Sequence, residues 1–130
     1  MQLSKYFSTE NDPKIKCPCC KQLKISPLLL ETLDAIREGA GEAVEIESGY
    51  RCPAHNATLK GSVPNSGHTT GEAADIYIKG WNNTRLYDLI KTLHAAGNLP
   101  YLTYCYRIKG RTNTGVHIGT DKKPRKKIFG

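Results

Sequence analysis

Two stretches of this chain carry residues whose types and spacing could do hydrolytic chemistry. The first is Ser66-Gly67-His68-Thr69-Thr70-Gly71-Glu72-Ala73-Ala74-Asp75-Ile76. His68 ends a loop, and Asp75 follows seven residues later inside an apolar run. Successive strand residues point to opposite faces, so Asp75 lies opposite Ala74 and Ile76. A carboxylate on an apolar strand needs a compensating partner if buried, and a metal ion supplies one. Gly71 and two alanines leave space for the loop to fold back, so that His68 and Asp75 can meet. The second stretch is Val116-His117-Ile118, where the two apolar residues would face the core and His117 the other side. Two imidazoles and one carboxylate, with a fourth position for water, are a ligand set for catalytic zinc. Such an ion acidifies water toward neutrality and polarises a carbonyl. The spacing alone is a loose pattern, and a lone strand histidine is more often structural.

These residues need a frame. Ser26 suits an N-cap and Pro27 a first helical position, and Leu29, Leu33 and Ile36 then recur at helical spacing. A helix is predicted there, stopped by Gly39 and Gly41. Ala43 to Ile46 alternates apolar and acidic residues and predicts a strand; Ser48 to Pro53 predicts a turn and Gly61 to Thr70 a loop. Ala73 to Ile78 predicts a second strand. Asn82 or Asn83 caps a second helix carrying Leu86, Leu89, Ile90 and Leu93, closed at Gly97. Tyr101 to Ile108 and Gly115 to Gly119 predict two further strands. Two helices and several short, unevenly interleaved strands imply an α+β fold with a small, mainly antiparallel sheet.

Composition excludes several classes. A chain of 130 residues, 38% hydrophobic and 24% charged, is globular rather than disordered and long enough for one domain. The longest apolar run is Leu28 to Leu30, so no membrane partner is expected, and the polar stretch Met1 to Lys14 gives no secretory signal. The net charge of +7 points first to anionic partners. It is unevenly spread: residues 31–78 carry three basic and eight acidic residues, whereas 122–130 carry Lys122, Lys123, Arg125, Lys126 and Lys127 and no acid. The expected organisation is one domain over 1–121 and a solvated basic tail over 122–130. No nucleic-acid motif or aromatic interleaving accompanies that tail, so nucleic acid is not an expected partner.

Cys17, Cys19 and Cys20 cluster, while Cys52 and Cys105 stand alone. An odd count without a signal argues against a complete disulfide framework. Cys17-Pro18-Cys19-Cys20-Lys21 resembles one knuckle of a zinc site but lacks a second pair. Cys17, Cys20 and Cys52 could form a second metal site or a disulfide if the fold brings Cys52 near; reduced thiols are the alternative.

Ser48-Gly49-Tyr50-Arg51, then Ser66-x-His68-x-x-Gly71-x-Ala73-x-Asp75, then Val116-His117-Ile118 follow one another in the order and spacing of a known family. The chain resembles the zinc D-alanyl-D-alanine peptidases, whose fold is shared with the Hedgehog signalling domain. The likeness extends over roughly residues 5–120, includes the opening Leu3-Ser4-Lys5-Tyr6-Phe7, and looks nearest to the compact branch of bacteriophage and prophage genomes. The resemblance implies that His68, Asp75 and His117 bind one zinc ion. It implies that Arg51 sits over the metal, stabilising an oxyanion or holding a substrate carboxylate, and that Ser66 lines the substrate site. The implied substrates are peptidoglycan stem peptides containing D-amino acids. With no signal in the sequence, the protein is expected to be made in the cytoplasm and to act on the wall after release or as part of a virion.

One departure bears on catalysis, which needs a general base. One branch of the family has Glu where this chain has Thr114, and the compact branch has Asp where it has Gly119. Asp121 and Glu72 are the nearest substitutes; Asp121 could serve if the strand ends before it. Tyr104, with Tyr101 and Tyr106, could line the substrate cleft or simply pack on the sheet. Arg51 could alternatively pair with Glu47. His55 reads as a local packing residue and His94 as a complement to its helix dipole. Two readings follow: a zinc peptidase of the cell wall, or a zinc-binding, catalytically degenerate wall-binding or virion-structural module.

Overall fold

The computed structural model of the protein describes residues 1–59, 62, 66–109 and 115–130. The first helix, α1 (Pro27–Ala40), starts as expected: the Ser26 side chain accepts from the Leu28 amide and proline occupies its first turn. Gly41, at φ 70, ends it in the left-handed conformation. Gly39 does not end it. That glycine lies within α1, where a Cβ would come within 2.7 Å of Leu93 on the second long helix. Its small size serves helix packing rather than termination.

Strand β1 (Glu45–Ser48) begins later than its alternation suggests. A six-residue helix, α2 (Pro53–Thr58), follows it. This differs from the predicted turn over Ser48 to Pro53, which is followed by no predicted helix. Proline at a first helical position was the signal, but so short a helix shows no apolar periodicity. A 3-10 turn over Gly67–Thr70 leads into β2 (Ala73–Tyr77). Helix α3 (Asn83–Ala95) is capped by Asn82, whose side chain accepts from the Arg85 amide. Strands β3 (Tyr104–Arg107) and β4 (Val116–Gly119) complete the order.

All strand pairs are antiparallel, in the order β1-β2-β4-β3. One face carries Ile46, Ala74, Ile76, Cys105, Val116 and Ile118 into a core shared with Leu29, Leu33 and Ile36 of α1 and Leu86 and Ile90 of α3. The α+β architecture with two main helices is therefore as the sequence implies. The other face holds Asp75 and His117, partners across β2 and β4, with Tyr106 opposite His117 on β3. A register shift between Ile46 and Ser48 sets Ser48 across from Asp75. Such a bulge re-aims the chain at a sheet edge, here into the 49–52 loop.

The N-terminal segment closes the fold at that loop. A short 3-10 turn (Pro13–Ile15) accepts the Gly49 amide on Lys14 at 3.0 Å and the Tyr50 amide on Ile15 at 3.0 Å. Gly49 is required there, because a Cβ would stand 2.7 Å from the Ile15 backbone. At the other end, Lys122, Lys123, Lys126 and Lys127 are exposed, but Ile128 and Phe129 return to the core. Phe129 forms a parallel bridge with Cys105 and packs edge-on to Tyr87 and His94. This departs from a wholly solvated end, because two apolar side chains cover the β3 edge and α3. Among the described residues no helix is long and apolar enough to cross a membrane.

Gly71 locks the turn that carries His68. It is left-handed at φ 74, its carbonyl accepts the Ser26 amide at 2.8 Å, and a Cβ would meet the Lys24 carbonyl oxygen at 2.3 Å. Gly41 is equally left-handed but has open space around it. Gly41→Ala is expected to cost only the conformational penalty of ~1 kcal/mol. Gly71→Ala is expected to cost at least ~2 kcal/mol, since backbone must also move. Urea denaturation of both variants checks the difference, and equal losses would remove the close-approach argument.

Candidate functional site

His68, Asp75 and His117 come together on the face of the sheet away from the core. Strand β2 buries Ala74 and Ile76 on one side and leaves Asp75 on the other. The β2–β4 register sets His117 beside it, with Nδ1 2.9 Å from Asp75 Oδ1. His68 arrives from the 3-10 turn with Nε2 3.3 Å from the same oxygen. The imidazoles are nearly enclosed, at 1% and 8% exposure, and their rings meet edge to face at 5.1 Å. Burial alone would raise the Asp75 pKa, but hydrogen bonds and charge from the two imidazoles hold it well below the usual carboxylate range.

The tautomer of His68 follows from its other nitrogen. Nδ1 lies 2.8 Å from the Gly49 carbonyl oxygen, so it is Nδ1–H that donates. In the neutral ring, Nε2 then has a bare lone pair directed at an ionised oxygen. A cation held between them, a proton or a metal ion, satisfies both at 3.3 Å. The three ligand atoms lie within 4.8 Å of one another and are two nitrogens and one carboxylate oxygen, a donor set that fits zinc. The Gly49 carbonyl supplies the outer support common to metal-binding histidines.

A cleft of about 440 Å³ opens over this cluster. Arg51, Ser66 and Tyr104 line it, as do Tyr106, Asp121 and Arg125. The Arg51 Nε is buried without a hydrogen-bond partner among the described residues. Its guanidinium faces Asp75 and Tyr106, and burial lowers its pKa from the ordinary arginine value. Ser66 lines the cleft, and its hydroxyl also accepts the His68 amide at 3.3 Å, capping the turn. Tyr106 stacks on His117 with ring centres 4.7 Å apart and planes within 15°. Tyr104 packs against Tyr106 and under the Arg125 guanidinium, 4.5 Å from its ring centre. Tyr106, one of the three tyrosines the sequence offers for the cleft, is set against His117 by the β3–β4 register.

Strand β4 ends at Gly119, and the chain curls so that the Asp121 carboxylate enters the cleft. Asp121 Oδ2 and His117 Nε2 both border the space a side chain at Gly119 would occupy, at 3.5 and 3.9 Å from its Cβ position. Arg125 grips this carboxylate with both terminal nitrogens, at 2.8 and 3.1 Å, and the Lys123 amide donates to it at 3.1 Å. Burial would raise the Asp121 pKa, but these donors outweigh it and hold the carboxyl below its ordinary value. Reading 122–130 as solvated hid Arg125; its spacing of four from Asp121 was the available signal. Glu72 is not among the described residues lining the cleft; its carbonyl accepts the Thr120 amide at 2.8 Å. Thr114 lies outside the described residues.

Cys17, Cys20 and Cys52 form a second cluster at the other end of the 49–52 loop, their sulfurs within 4.8 Å of one another. All five cysteines are free thiols. Burial would raise the Cys17 pKa, but amide donors from Cys52, Cys20 and Cys19 bring it down to about 6.

A family model described as Peptidase M15 matches residues 9–110. Among curated proteins and among solved structures nothing matches. The matched span covers most of the chain, and the chain belongs to that family of zinc D-alanyl-D-alanine peptidases.

The Asp121–Arg125 pair makes stability pH-dependent. A carboxyl whose folded pKa is depressed contributes stability above its unfolded value near ~4, lost as pH falls through the lower folded value. Asp121→Asn is expected to lose roughly 1–3 kcal/mol at neutral pH and to flatten the acid limb of the stability profile. Urea denaturation across acid pH measures both; an unchanged acid limb would show that the pair does not couple to folding.

Proposed function

We propose that this member of the peptidase M15 family is a zinc peptidase that hydrolyses peptide bonds next to D-amino acids in peptidoglycan stem peptides. The observation that supports this most is the convergence of His68 Nε2, Asp75 Oδ1 and His117 Nδ1 under a cleft that also holds Arg51. In this reading those three residues hold one zinc ion, which when bound lowers the pKa of water and polarises the scissile carbonyl. Arg51, whose Nε has no hydrogen-bond partner among the described residues, binds a substrate carboxylate or the oxygen that gains charge in the transition state. Ser66 and Tyr104 line the substrate path, and Tyr106 holds the His117 ring by stacking. Asp121 takes the proton from the attacking water, in place of the acid missing at Gly119.

Residues 1–121 then act as one peptidase domain, and the basic stretch 122–130 supplies the restraint on Asp121 through Arg125. The remaining cations of that stretch suit attraction to anionic wall polymers. The proposed place of action is the cell wall, reached after release from the cytoplasm or from a virion. Cleavage of a terminal residue or within the peptide are both compatible with an open cleft of this size.

The grip of Arg125 on Asp121 favours a second reading, in which the site binds zinc but the base is disabled and the protein serves as a wall-binding or virion module. Incubation of purified cell wall with the zinc-loaded protein, with products read by mass spectrometry, separates the two. Turnover is expected, and Asp121→Asn is expected to lower kcat about 10²–10⁴-fold while metal content stays the same. Arg51→Ala should raise KM if the guanidinium holds a substrate carboxylate and lower kcat if it meets the oxyanion. No amide cleavage by protein with metal confirmed in place would leave only the second reading.

A further inference from the structure

The cysteine cluster is independent of the cleft and has its own built geometry. The chain from Cys17 to Gln22 closes a tight turn: the Lys21 amide donates to the Cys17 carbonyl at 2.9 Å and the Cys17 amide to the Gln22 carbonyl at 3.0 Å. Lys21 sits at φ 63, the only described non-glycine residue with positive φ, a strain that a lysine adopts only where its surroundings impose it. This turn brings Cys17 and Cys20, three apart, to one side, and Cys52 meets them from the start of α2. The Cys52 amide donates to Cys17 Sγ at 3.4 Å, and the amides of Cys19 and Cys20 donate to the same sulfur. Cys19 lies against Cys52.

Three sulfurs within 4.8 Å are more than a disulfide can use, since it joins two and leaves the third unpaired. They suit a tetrahedral ion better: a zinc–sulfur bond of about 2.3 Å separates thiolates by roughly 3.8 Å, within the 4.8 Å that bounds this arrangement. Three amide N–H groups directed at one sulfur stabilise a thiolate, as outer donors do around metal-bound sulfur. Soft thiolates select zinc over magnesium or calcium.

We propose that Cys17, Cys20 and Cys52, with Cys19 completing the set, form a structural zinc–thiolate site distinct from the His68–Asp75–His117 cluster. Binding releases the thiol protons to solvent and changes no oxidation state. The site clamps the N-terminal segment to the 49–52 loop at the point where Lys14 and Ile15 already accept the Gly49 and Tyr50 amides. That loop carries the Gly49 carbonyl that orients His68, and Arg51. The second ion therefore positions the first site; this last consequence rests on the peptidase reading, whereas the site itself does not.

The test uses the full chain loaded with Co2+ under reducing, oxygen-free conditions. Thiolate-to-cobalt charge-transfer absorption in the near ultraviolet is expected in the wild type and in His117→Ala, and its loss in Cys17→Ser and Cys20→Ser. Elemental analysis should find one metal equivalent fewer in His117→Ala and, separately, one fewer in Cys20→Ser. The wild-type spectrum decides the matter even where a serine variant fails to fold. Absence of the band from metal-loaded wild type overturns the proposal, as does an intact mass two hydrogens light that marks a disulfide. So does reaction of these thiols with a thiol reagent at the same rate with and without zinc. A band with no wall cleavage would keep this site and remove the peptidase reading; cleavage with no band would do the reverse.

Discussion

A carboxylate placed on a sheet face between two enclosed imidazoles is the constraint on which the rest of this structure turns. Asp75 shares one oxygen with His68 and His117. Such a buried arrangement persists only where a scaffold holds its members. Much of the fold can be read as that scaffold. The apolar face of β2 anchors Asp75 from behind through Ala74 and Ile76, and antiparallel register brings His117 beside it. The 3-10 turn, held by Gly71 against the start of α1, delivers His68.

The cleft over that centre is built from opposed charges, of which Asp121 and Arg125 are already paired with one another. Asp121 enters the space left by Gly119 but is held by Arg125, which in turn lies over Tyr104. Arg51 is half-buried near Asp75, with one nitrogen lacking a partner among the described residues. A cleft so arranged favours a ligand that brings its own carboxylate, because an anion can satisfy Arg51 and compete for Arg125.

The two ends of the chain both reach this centre indirectly. The N-terminal segment supports the loop whose Gly49 carbonyl fixes the His68 tautomer, with the cysteine cluster at the junction. The C-terminal segment supplies Arg125 and then packs Phe129 beside Cys105. Neither contribution shows in a reading by periodicity or composition. Short irregular segments carry no repeating pattern, and a run of lysines looks like solvated surface whether or not one arginine within it turns inward. The same blindness hid α2, too short for a period, and misread Gly39, whose role depends on Leu93 far along the chain.

The sequence by itself determined the α+β class, both long helices with their N-terminal caps, the ordered motifs that place this chain among the M15 peptidases, and the candidate residues His68, Asp75, His117 and Arg51. These were legible because capping, strand alternation and motif spacing are local properties, written in residues near one another in the chain. Only the tertiary structure decided that Asp121 curls into the cleft, that Arg125 restrains it, that Tyr106 stacks on His117, and that Cys52 joins Cys17 and Cys20. Each of those depends on strand register or on where a strand ends. Register is set by packing across the whole sheet, so a one-residue slip would send Tyr106 and His117 to the opposite face, whereas Asp121, Arg125 and Cys52 are placed by the turns that follow the strands.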